Sequence, residues 1–351
     1  MRWPGVIYDV GRAMGAWSPN WRPDFAPELV RRELEIIRGD LHATAVRLCA
    51  RDPERLAFAG ACALDLGLDV WICPELWNAT PPRTLDYLEA AASVAERLHR
   101  QAPDRVTLSI GNELTFFMRG IVPGRTHHRR TRTPQLRSIL RERRHTPPLR
   151  AFLADAVAVV RRSYHGRLSY CALPFEDPDW TLFDIVGVNH YRNPGTERGY
   201  AFVLDRLLAT GKPVVVTELG FAACQDADNP EFLSTLNVTP LSFAGARLPR
   251  VGRFIRPRVR AVHPRDEAAQ ARLLIDQLSD LDRRGMAGAF VMSFSFPLAP
   301  YDEDPRHDID ATALSIVRTL RPGRHGTTFP DMPWEPKQAF HALAAFNQAA
   351  T

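Results

Sequence analysis

PVVVTEL, residues 213–219, is a short run that stays apolar on both faces until it reaches Glu218. A half-exposed strand would alternate apolar and polar side chains, whereas three consecutive valines suit a strand that is covered on both sides. Such strands are typical of parallel sheets, because the connecting helices cover the faces of the sheet. A carboxylate near the end of this run therefore needs either a structural partner or a chemical role.

Seven similar runs occur elsewhere, rich in β-branched and aromatic residues. They are VIYDV (6–10), ATAVRLC (43–49), LDVWIC (68–73), VTLSIG (106–111), RLSYCAL (167–173), FDIVGVN (183–189) and AFVMSFSF (289–296). Helical periodicity lies between runs at 27–38, 84–100 and 266–284, and a tail helix is expected to begin with Pro336. Eight alternating strands and helices predict a (β/α)8 barrel, with a doubly wound open sheet as the alternative. Neither a GxGxxG nor a GxxxxGK[ST] loop supports the alternative.

The predicted barrel accounts for residues 1–351 as one domain with two long insertions. Residues 115–149 follow the fourth strand, and residues 220–264 follow the seventh. Connections that follow barrel strands lie on the catalytic face, and loops of this length are usually functional or disordered. We therefore expect both insertions to border the active site.

The composition is that of a globular cytoplasmic protein. No signal-peptide pattern opens the chain, and no run approaches 18 apolar residues, so we expect no membrane span. The cysteines are scattered without a CxxC pair, which disfavours a zinc site or a disulfide framework: Cys49, Cys62, Cys73, Cys171 and Cys224. The oligomeric state stays open.

Polar residues recur where the predicted strands end. In a barrel, residues at the carboxyl ends of strands are catalytic candidates. The candidates are Arg47 on the second strand, Asn112 and Glu113 on the fourth, Asn189 and Tyr191 on the sixth, and Glu218 on the seventh. His190 lies between two of them, and strand alternation predicts that it points away as a structural residue.

Glu113 and Glu218 lie on strands near opposite sides of the predicted barrel, so their side chains can converge over its mouth. Two carboxyls about 5 Å apart suit a retaining glycosidase, in which one attacks the anomeric carbon and the other donates a proton. The environments must then separate the two pKa values. Arg47 and Tyr191 are the donors that we expect to keep Glu218 ionised.

These residues resemble the clan A glycoside hydrolases, which are retaining (β/α)8 enzymes. SIGNEL is similar to the clan's Asn-Glu motif, which implies Glu113 as acid/base and Asn112 as the residue that holds the sugar 2-hydroxyl. VVVTELGF resembles the nucleophile strand and implies that role for Glu218. AVRL and FDIVGVNHY resemble the strands that supply an arginine, an asparagine and a tyrosine to the site, here Arg47, Asn189 and Tyr191.

The eighth run departs from that pattern. The clan usually places a tryptophan there as the floor of the sugar site, whereas VMSFSFP offers Phe294 and Phe296. We expect Phe296 to serve as the stacking platform. From the third strand, we expect Trp71 and Trp77 to line the pocket, with Glu75 as a further candidate.

Arginine dominates both insertions. Of 45 basic residues only Lys212 and Lys337 are lysines, and residues 119–150 hold ten arginines against one acid, Glu142. Residues 247–260 add six arginines and no acid: Arg247, Arg250, Arg253, Arg256, Arg258 and Arg260. One hypothesis is that they favour an anionic substrate, and the alternative is a solvated or partly disordered insertion. Few aromatic residues accompany them, so we expect no nucleic-acid partner.

The acidic stretch YDEDPRHDID, residues 301–310, does not match the spacing of an EF-hand loop, so we expect no metal and no cofactor. The sequence thus predicts a retaining glycosidase that acts on a small-molecule or oligosaccharide glycoside. Two alternatives stay open. One is a barrel that performs transglycosylation or other acid/base chemistry in a biosynthetic pathway, and the other is a non-catalytic sugar-binding barrel.

Overall fold

A computed structural model describes residues 1–13, 20–233, 236–246 and 255–349. Eight parallel strands close into a barrel in chain order, which confirms the predicted (β/α)8 fold. The strands are β1 (Trp3–Gly11), β2 (Ala45–Ala50), β3 (Asp69–Pro74), β4 (Val106–Asn112), β5 (Arg167–Ala172), β6 (Ile185–Asn189), β7 (Val214–Leu219) and β8 (Gly288–Val291). A small antiparallel pair, β9 (Val317–Thr319) and β10 (Trp334–Pro336), lies outside the barrel.

Helices follow the strands around the outside of the barrel. They are α1 (Pro27–Gly39), α2 (Pro53–Asp65), α3 (Pro81–Gln101), α4 (Leu114–Phe117), α5 (His127–Arg130), α6 (Leu136–Arg141), α7 (Thr146–Val160), α8 (Glu197–Leu208), α9 (Pro240–Ala246), α10 (Glu267–Arg283) and α11 (Gln338–Ala349). Within the described residues, none of these helices is long and apolar enough to cross a bilayer.

Two predicted boundaries were wrong. The eighth strand ends at Val291 rather than at residue 296, because the chain turns away from the barrel after that residue. The tail helix begins at Gln338, since Pro336 belongs to β10 and pairs with Val317. A proline can end an edge strand because it has no amide proton to contribute to a ladder.

The barrel and the helices around it pack in two layers. The larger core lies between the strands and the surrounding helices, and it accounts for the runs that are apolar on both faces. The smaller core fills the barrel itself, with Trp3, Ile7, Trp71, Val215 and Phe290 among its members. The barrel is therefore a packed core with its functional surface at the rim.

Strand register breaks near the carboxyl ends. The ladder shifts between Ser109 and Asn112 on β4, between Val188 and Asn189 on β6, and between Val216 and Leu219 on β7. Bulges of this kind bend a strand and re-aim its side chains, and they are common next to active sites. The breaks fall beside the polar residues that the sequence singled out.

The connection after β4 contains three short helices, α4 to α6, before α7 returns along the barrel. Arg130 fastens this connection from a fully buried position. Its guanidinium donates to the carbonyls of Phe116 and Gly124 and to the side chain of Asn78. The insertion thus has a packed anchor, although most of its other arginines are exposed.

Candidate active site

The carboxyl ends of four strands bring the predicted polar residues together. Arg47 lies on β2, Asn112 ends β4, Asn189 ends β6, and Glu218 lies one residue before the end of β7. All four are almost completely buried. A buried polar side chain is tolerated only with partners, so the hydrogen bonds between these residues define the site.

Glu218 is held by cationic and neutral donors. Arg47 Nη1 donates to its Oε1 at 2.7 Å, and the Tyr191 hydroxyl donates to its Oε2 at 2.9 Å. Arg12 Nη1 lies 3.9 Å from Oε1. Burial acts to raise the pKa of the Glu218 carboxyl, but the charges of Arg47 and Arg12, with the donated hydrogen bonds, bring that pKa below its ordinary value. Glu218 is therefore ionised at neutral pH.

Glu113 has the opposite environment. Among the described residues its single side-chain donor is Asn189, whose Nδ2 lies 2.8 Å from Oε1, and none of their cations pairs with its carboxyl. Burial first, and then the negative charge of Glu218, raise the pKa of Glu113 to about 8. The carboxyl is therefore largely protonated at neutral pH, as a general acid requires.

One amide connects the two carboxyls. Asn189 Nδ2 donates to Glu113 and also to Asn112 Oδ1 at 2.9 Å, while Asn112 Nδ2 lies 3.4 Å from Glu218 Oε1. Thr217 donates its hydroxyl to Asn189 Oδ1 at 2.7 Å, which fixes which end of that amide is the donor. These hydrogen bonds fix the orientations of the side chains relative to one another.

Arg12 and Glu75 form a second charged layer beside Glu218. Arg12 Nε pairs with Asp9 at 2.5 Å, and its Nη1 lies 3.5 Å from Glu75 Oε1. Burial raises the pKa of Glu75 despite the neighbouring guanidinium of Arg12. Arg12 directly follows β1, but it was not among the residues selected from the sequence.

Trp77 lies at the rim in an aromatic group. Its indole stacks on Phe117 with 3.9 Å between ring centroids, and its Nε1 donates to Glu75 Oε2 at 2.9 Å. Trp21 meets Trp77 edge-on and also contacts Phe296, with centroids 5.1 Å apart. Arg12 lies over the ring of Trp21. No periodic pattern in the sequence singles out Trp21, which lies in the loop after β1.

The position of Trp71 corrects our expectation that it lines the pocket. It is 1% exposed and packs edge-on against Trp3 and Phe290 inside the barrel. Strand alternation does direct Trp71 inward, but at a level where the interior is filled. It therefore belongs to the core below the mouth.

The end of β8 also differs from expectation. Phe294 is fully buried on the outer side of the barrel, against Tyr8 and Trp334, so it is not available as a platform. Phe296 is half-buried beside the rim group. The residue that directly follows β8 is Met292, and its sulfur lies 3.9 Å from Arg12 Nη2. A thioether thus occupies this part of the floor.

Three side chains could offer ligands to a metal ion: Cys49, Cys73 and Glu75, whose ligand atoms lie within 4.8 Å of one another. However, Arg47 Nη2 donates to Cys73 Sγ at 3.2 Å, and Arg12 faces Glu75. Two permanent positive charges in contact with the ligand atoms oppose the binding of a cation. The cluster fits a hydrogen-bonded floor better than a metal site.

The acidic stretch 301–310 is neutralised by basic side chains. Asp302 pairs with Arg256 and Arg321, and Asp304 pairs with Arg306. The remaining aspartates, Asp308 and Asp310, both pair with Arg265, and Asp310 also pairs with the buried Lys337. These contacts give the stretch a structural role.

The Arg-rich insertions are partly structural. Arg143 and Arg150 both bind Asp177 at 2.6 Å. Other arginines of the first insertion are exposed, and within the described chain they have no acidic partner: Arg125, Arg129, Arg132 and Arg137. In the second stretch, Arg247, Arg250 and Arg253 lie outside the described residues.

Comparison with solved structures finds similar barrels at low sequence identity. The GH113 beta-mannanase from Alicyclobacillus acidocaldarius superposes with a TM-score of 0.58 and 15% identity, over 100% of this chain and 99% of that one. A beta-glucosidase named 1317 gives 0.54 and 14%, over 99% and 98%. A beta-glucuronidase from an uncultured Clostridium sp. gives 0.56 and 16%; 99% of this chain matches, but it spans about half of that one, 50%.

No protein-family model matches the sequence, and no curated protein matches it. The likeness therefore lies in the fold, and what the chain does has to be argued from its own side chains.

Proposed function

We propose that this protein is a retaining glycoside hydrolase with Glu218 as nucleophile and Glu113 as acid/base. The observation that carries the proposal is the contrast between the two carboxyls: cations and a hydroxyl lower the pKa of Glu218, whereas burial and its neighbour raise that of Glu113 to about 8. A double displacement needs one ionised carboxylate and one protonated carboxyl in the same site. The barrels with similar folds described above include three glycosidases.

In the first step, a Glu218 oxygen forms a bond to the anomeric carbon while the bond from that carbon to the leaving oxygen breaks. The Glu113 proton passes to the leaving oxygen, which departs as an alcohol. In the second step, Glu113 takes a proton from water, and the water oxygen displaces Glu218 from the anomeric carbon. We assign the binding of the sugar 2-hydroxyl to Asn112, which lies beside Glu218, and the apolar surface at the rim to Trp77 and Phe296.

The direct test is covalent trapping. Aryl 2-deoxy-2-fluoro-β-glycosides of mannose, glucose and glucuronic acid should each be offered, followed by mass spectrometry of the digested protein. A fluoroglycosyl adduct on Glu218 is the expected result, and Glu218→Gln should abolish it. Glu75→Gln provides the matched control, since Glu75 is another buried carboxylate in the site and its loss should leave the adduct in place. An adduct on Glu75, or turnover by Glu218→Gln, would rule out this mechanism.

The same glycosides without fluorine distinguish the alternatives. Proton NMR of the first product should show the β-anomer, because two inversions retain configuration. A glycoside formed from an added alcohol would identify transglycosylation. A conversion that depends on both carboxyls but cleaves no glycoside would support biosynthetic acid/base chemistry, and ligand binding without any turnover would support a binding barrel.

We also propose that the substrate or its leaving group is anionic. The support is the set of exposed arginines on the insertion after β4, the strand that precedes Glu113; these arginines have no acidic partner in the part of the chain that the structure describes. If they attract the substrate, salt should lower kcat/KM for an aryl glucuronide more than for the matching glucoside, because exposed charges are screened. Equal salt dependence would remove the support for an anionic substrate.

The five cysteines are buried and free, and we place the enzyme in the reducing cytoplasm.

A further inference from the structure

Glu113 leaves β4 in an unusual backbone conformation. Its φ is +47°, in the left-handed region that non-glycine residues rarely occupy. The next residues turn at once into α4, whose amides Phe116 N and Phe117 N donate to the Glu113 carbonyl. The direction of the Glu113 carboxyl therefore depends on the turn at Leu114 and Thr115 being held in place.

The loop that follows β5 holds this turn through one carboxylate. Glu176 Oε1 accepts from the Thr115 amide at 3.0 Å, and its Oε2 accepts from the Tyr170 hydroxyl at 2.8 Å. That hydroxyl in turn accepts from the Leu114 amide at 3.0 Å. Both backbone amides directly after Glu113 are thus connected to Glu176: the Thr115 amide by a direct hydrogen bond, and the Leu114 amide through the Tyr170 hydroxyl.

Glu176 is itself rigidly placed. It is 2% exposed, and Oε2 also accepts from the Leu173 amide at 2.8 Å. Within the residues that the structure describes, its oxygens accept from two backbone amides and one hydroxyl, which is the pattern of an ionised carboxylate, although burial raises its pKa. Gly111 leaves room for the arrangement, because a Cβ there would lie 2.7 Å from Leu114 and 3.2 Å from the Tyr170 ring.

We propose that Glu176 is a positioning residue for the acid/base: with Tyr170 it fixes the turn that aims the Glu113 carboxyl at the leaving oxygen. The inference rests on the proposed role of Glu113. The negative charge of Glu176 also acts on that carboxyl. After burial and Glu218, Glu176 is the next group that raises the pKa of Glu113, and so it favours the protonated form that the first step needs.

The role predicts an effect that depends on the leaving group. A 2,4-dinitrophenolate departs without a proton, whereas phenolate benefits strongly from general acid catalysis, which contributes about 100-fold to 10,000-fold. A misaimed or deprotonated acid should therefore slow a phenyl glycoside selectively. General loss of packing should slow both substrates together.

The experiment compares kcat/KM for phenyl and 2,4-dinitrophenyl β-glycosides of the sugar accepted in the trapping panel, using Glu176→Gln, Tyr170→Phe and Glu113→Gln. We expect Glu176→Gln to lower kcat/KM at least about tenfold for the phenyl substrate and under about threefold for the other. In the pH profile of kcat/KM, the alkaline limb of Glu176→Gln should also move to lower pH, because the negative charge that raises the pKa of Glu113 is lost. Tyr170→Phe keeps the charge of Glu176. It should therefore show the leaving-group effect without a shift of the alkaline limb.

Glu33→Gln is the matched control. Glu33 is an equally buried carboxylate that accepts from the Tyr8 hydroxyl, from Arg22 and from Trp334, away from the turn. It should affect both substrates equally. If folded Glu176→Gln and Tyr170→Phe also lower kcat/KM equally for both substrates, the positioning role is wrong while the proposed function stands. If Glu113→Gln itself lacks the leaving-group effect, the proposed function fails, and the positioning role fails with it.

Discussion

Asn189 Nδ2 lies 2.8 Å from the carboxyl of Glu113 and 2.9 Å from Asn112 Oδ1, so one amide group touches both residues of the Asn-Glu pair. Asn189 follows Glu113 by 76 residues and ends a strand two places further around the barrel. The contact makes Glu113, the proposed general acid, and Asn112, the proposed sugar-binding residue, parts of one hydrogen-bonded unit. Asn112 Nδ2 also lies 3.4 Å from Glu218 Oε1, so the effects of changes at Glu218 and Glu113 are expected to be coupled rather than additive.

The pH dependence of kcat/KM should be bell-shaped. Glu113 must be protonated, and burial with the charge of Glu218 raises its pKa to about 8, so activity should be lost as the pH rises through about 8. Glu218 must be ionised, and because its pKa is lowered, activity should persist to a pH below the ordinary carboxyl range. A pH profile of an aryl glycoside tests both limbs, which report the pair together. An alkaline limb that survives in Glu113→Gln would contradict the assignment.

Tyr191→Phe should weaken Glu218 as the proposed nucleophile. The hydroxyl donates to Glu218 Oε2 at 2.9 Å, and a hydrogen bond to a charged group contributes about 1.5–3 kcal/mol. We expect kcat/KM to fall about tenfold to about a hundredfold, and the acid limb to move to higher pH because the ionised form loses a donor. Tyr164→Phe is the control, since that hydroxyl donates to the Val106 carbonyl elsewhere in the core. Equal pH profiles for both variants would contradict the contact's role.

Replacing Trp71 should affect mainly the stability of the fold, whereas replacing Trp77 should affect mainly substrate binding. Trp71→Ala removes a fully buried side chain and should lower the free energy of unfolding by about 3–5 kcal/mol. Trp77→Ala, at the half-exposed rim, should instead raise KM with a much smaller change in unfolding. Urea denaturation and steady-state kinetics on both variants provide the comparison. A stable Trp71→Ala with a raised KM would restore our original expectation that Trp71 lines the pocket.

Asp310→Asn should destabilise the fold. Asp310 and Lys337 form an ion pair at 2.9 Å with both side chains fully buried, and the lysine would lose its carboxylate partner. Breaking such a pair costs about 3–5 kcal/mol because a buried charge is left uncompensated. Asp304→Asn removes an aspartate that pairs with Arg306 at the surface, and it should leave thermal unfolding unchanged. Equal melting temperatures for the two variants would contradict this account.

Much of the fold could be predicted because its signals are local. Runs that are apolar on both faces, separated by helical periodicity, identified all eight strands within a few residues at their starts. Alternation also placed His190 correctly: it stacks on Tyr200 and contacts the Tyr200 carbonyl, away from the mouth. The end of β8 was missed because AFVMSFSF stays apolar after the chain has left the sheet, and hydrophobicity does not distinguish the inner core from the outer one.

The site was only partly predictable for a different reason. Glu113 and Glu218 lie at the carboxyl ends of predicted strands and fit a known resemblance, whereas Arg12, Trp21 and Glu176 lie in loops whose path depends on tertiary contacts. The level of Trp71 within the barrel was equally hidden, since alternation gives the direction of a side chain but not its depth. Contacts such as that between Glu176 and the Thr115 amide join residues 61 positions apart and leave no local pattern.

The register breaks have a consequence for engineering. Asn112 and Glu113 are consecutive, and in an ideal strand they would project to opposite sides. The shifted ladder at the end of β4, followed by the left-handed turn at Glu113, lets both reach the Asn189 amide. A designer who grafts this pair onto an idealised barrel must therefore transplant the bulge and the supporting loop as well as the two side chains. In a regular strand, Asn112 and Glu113 would project to opposite sides, and only one of them could point into the site.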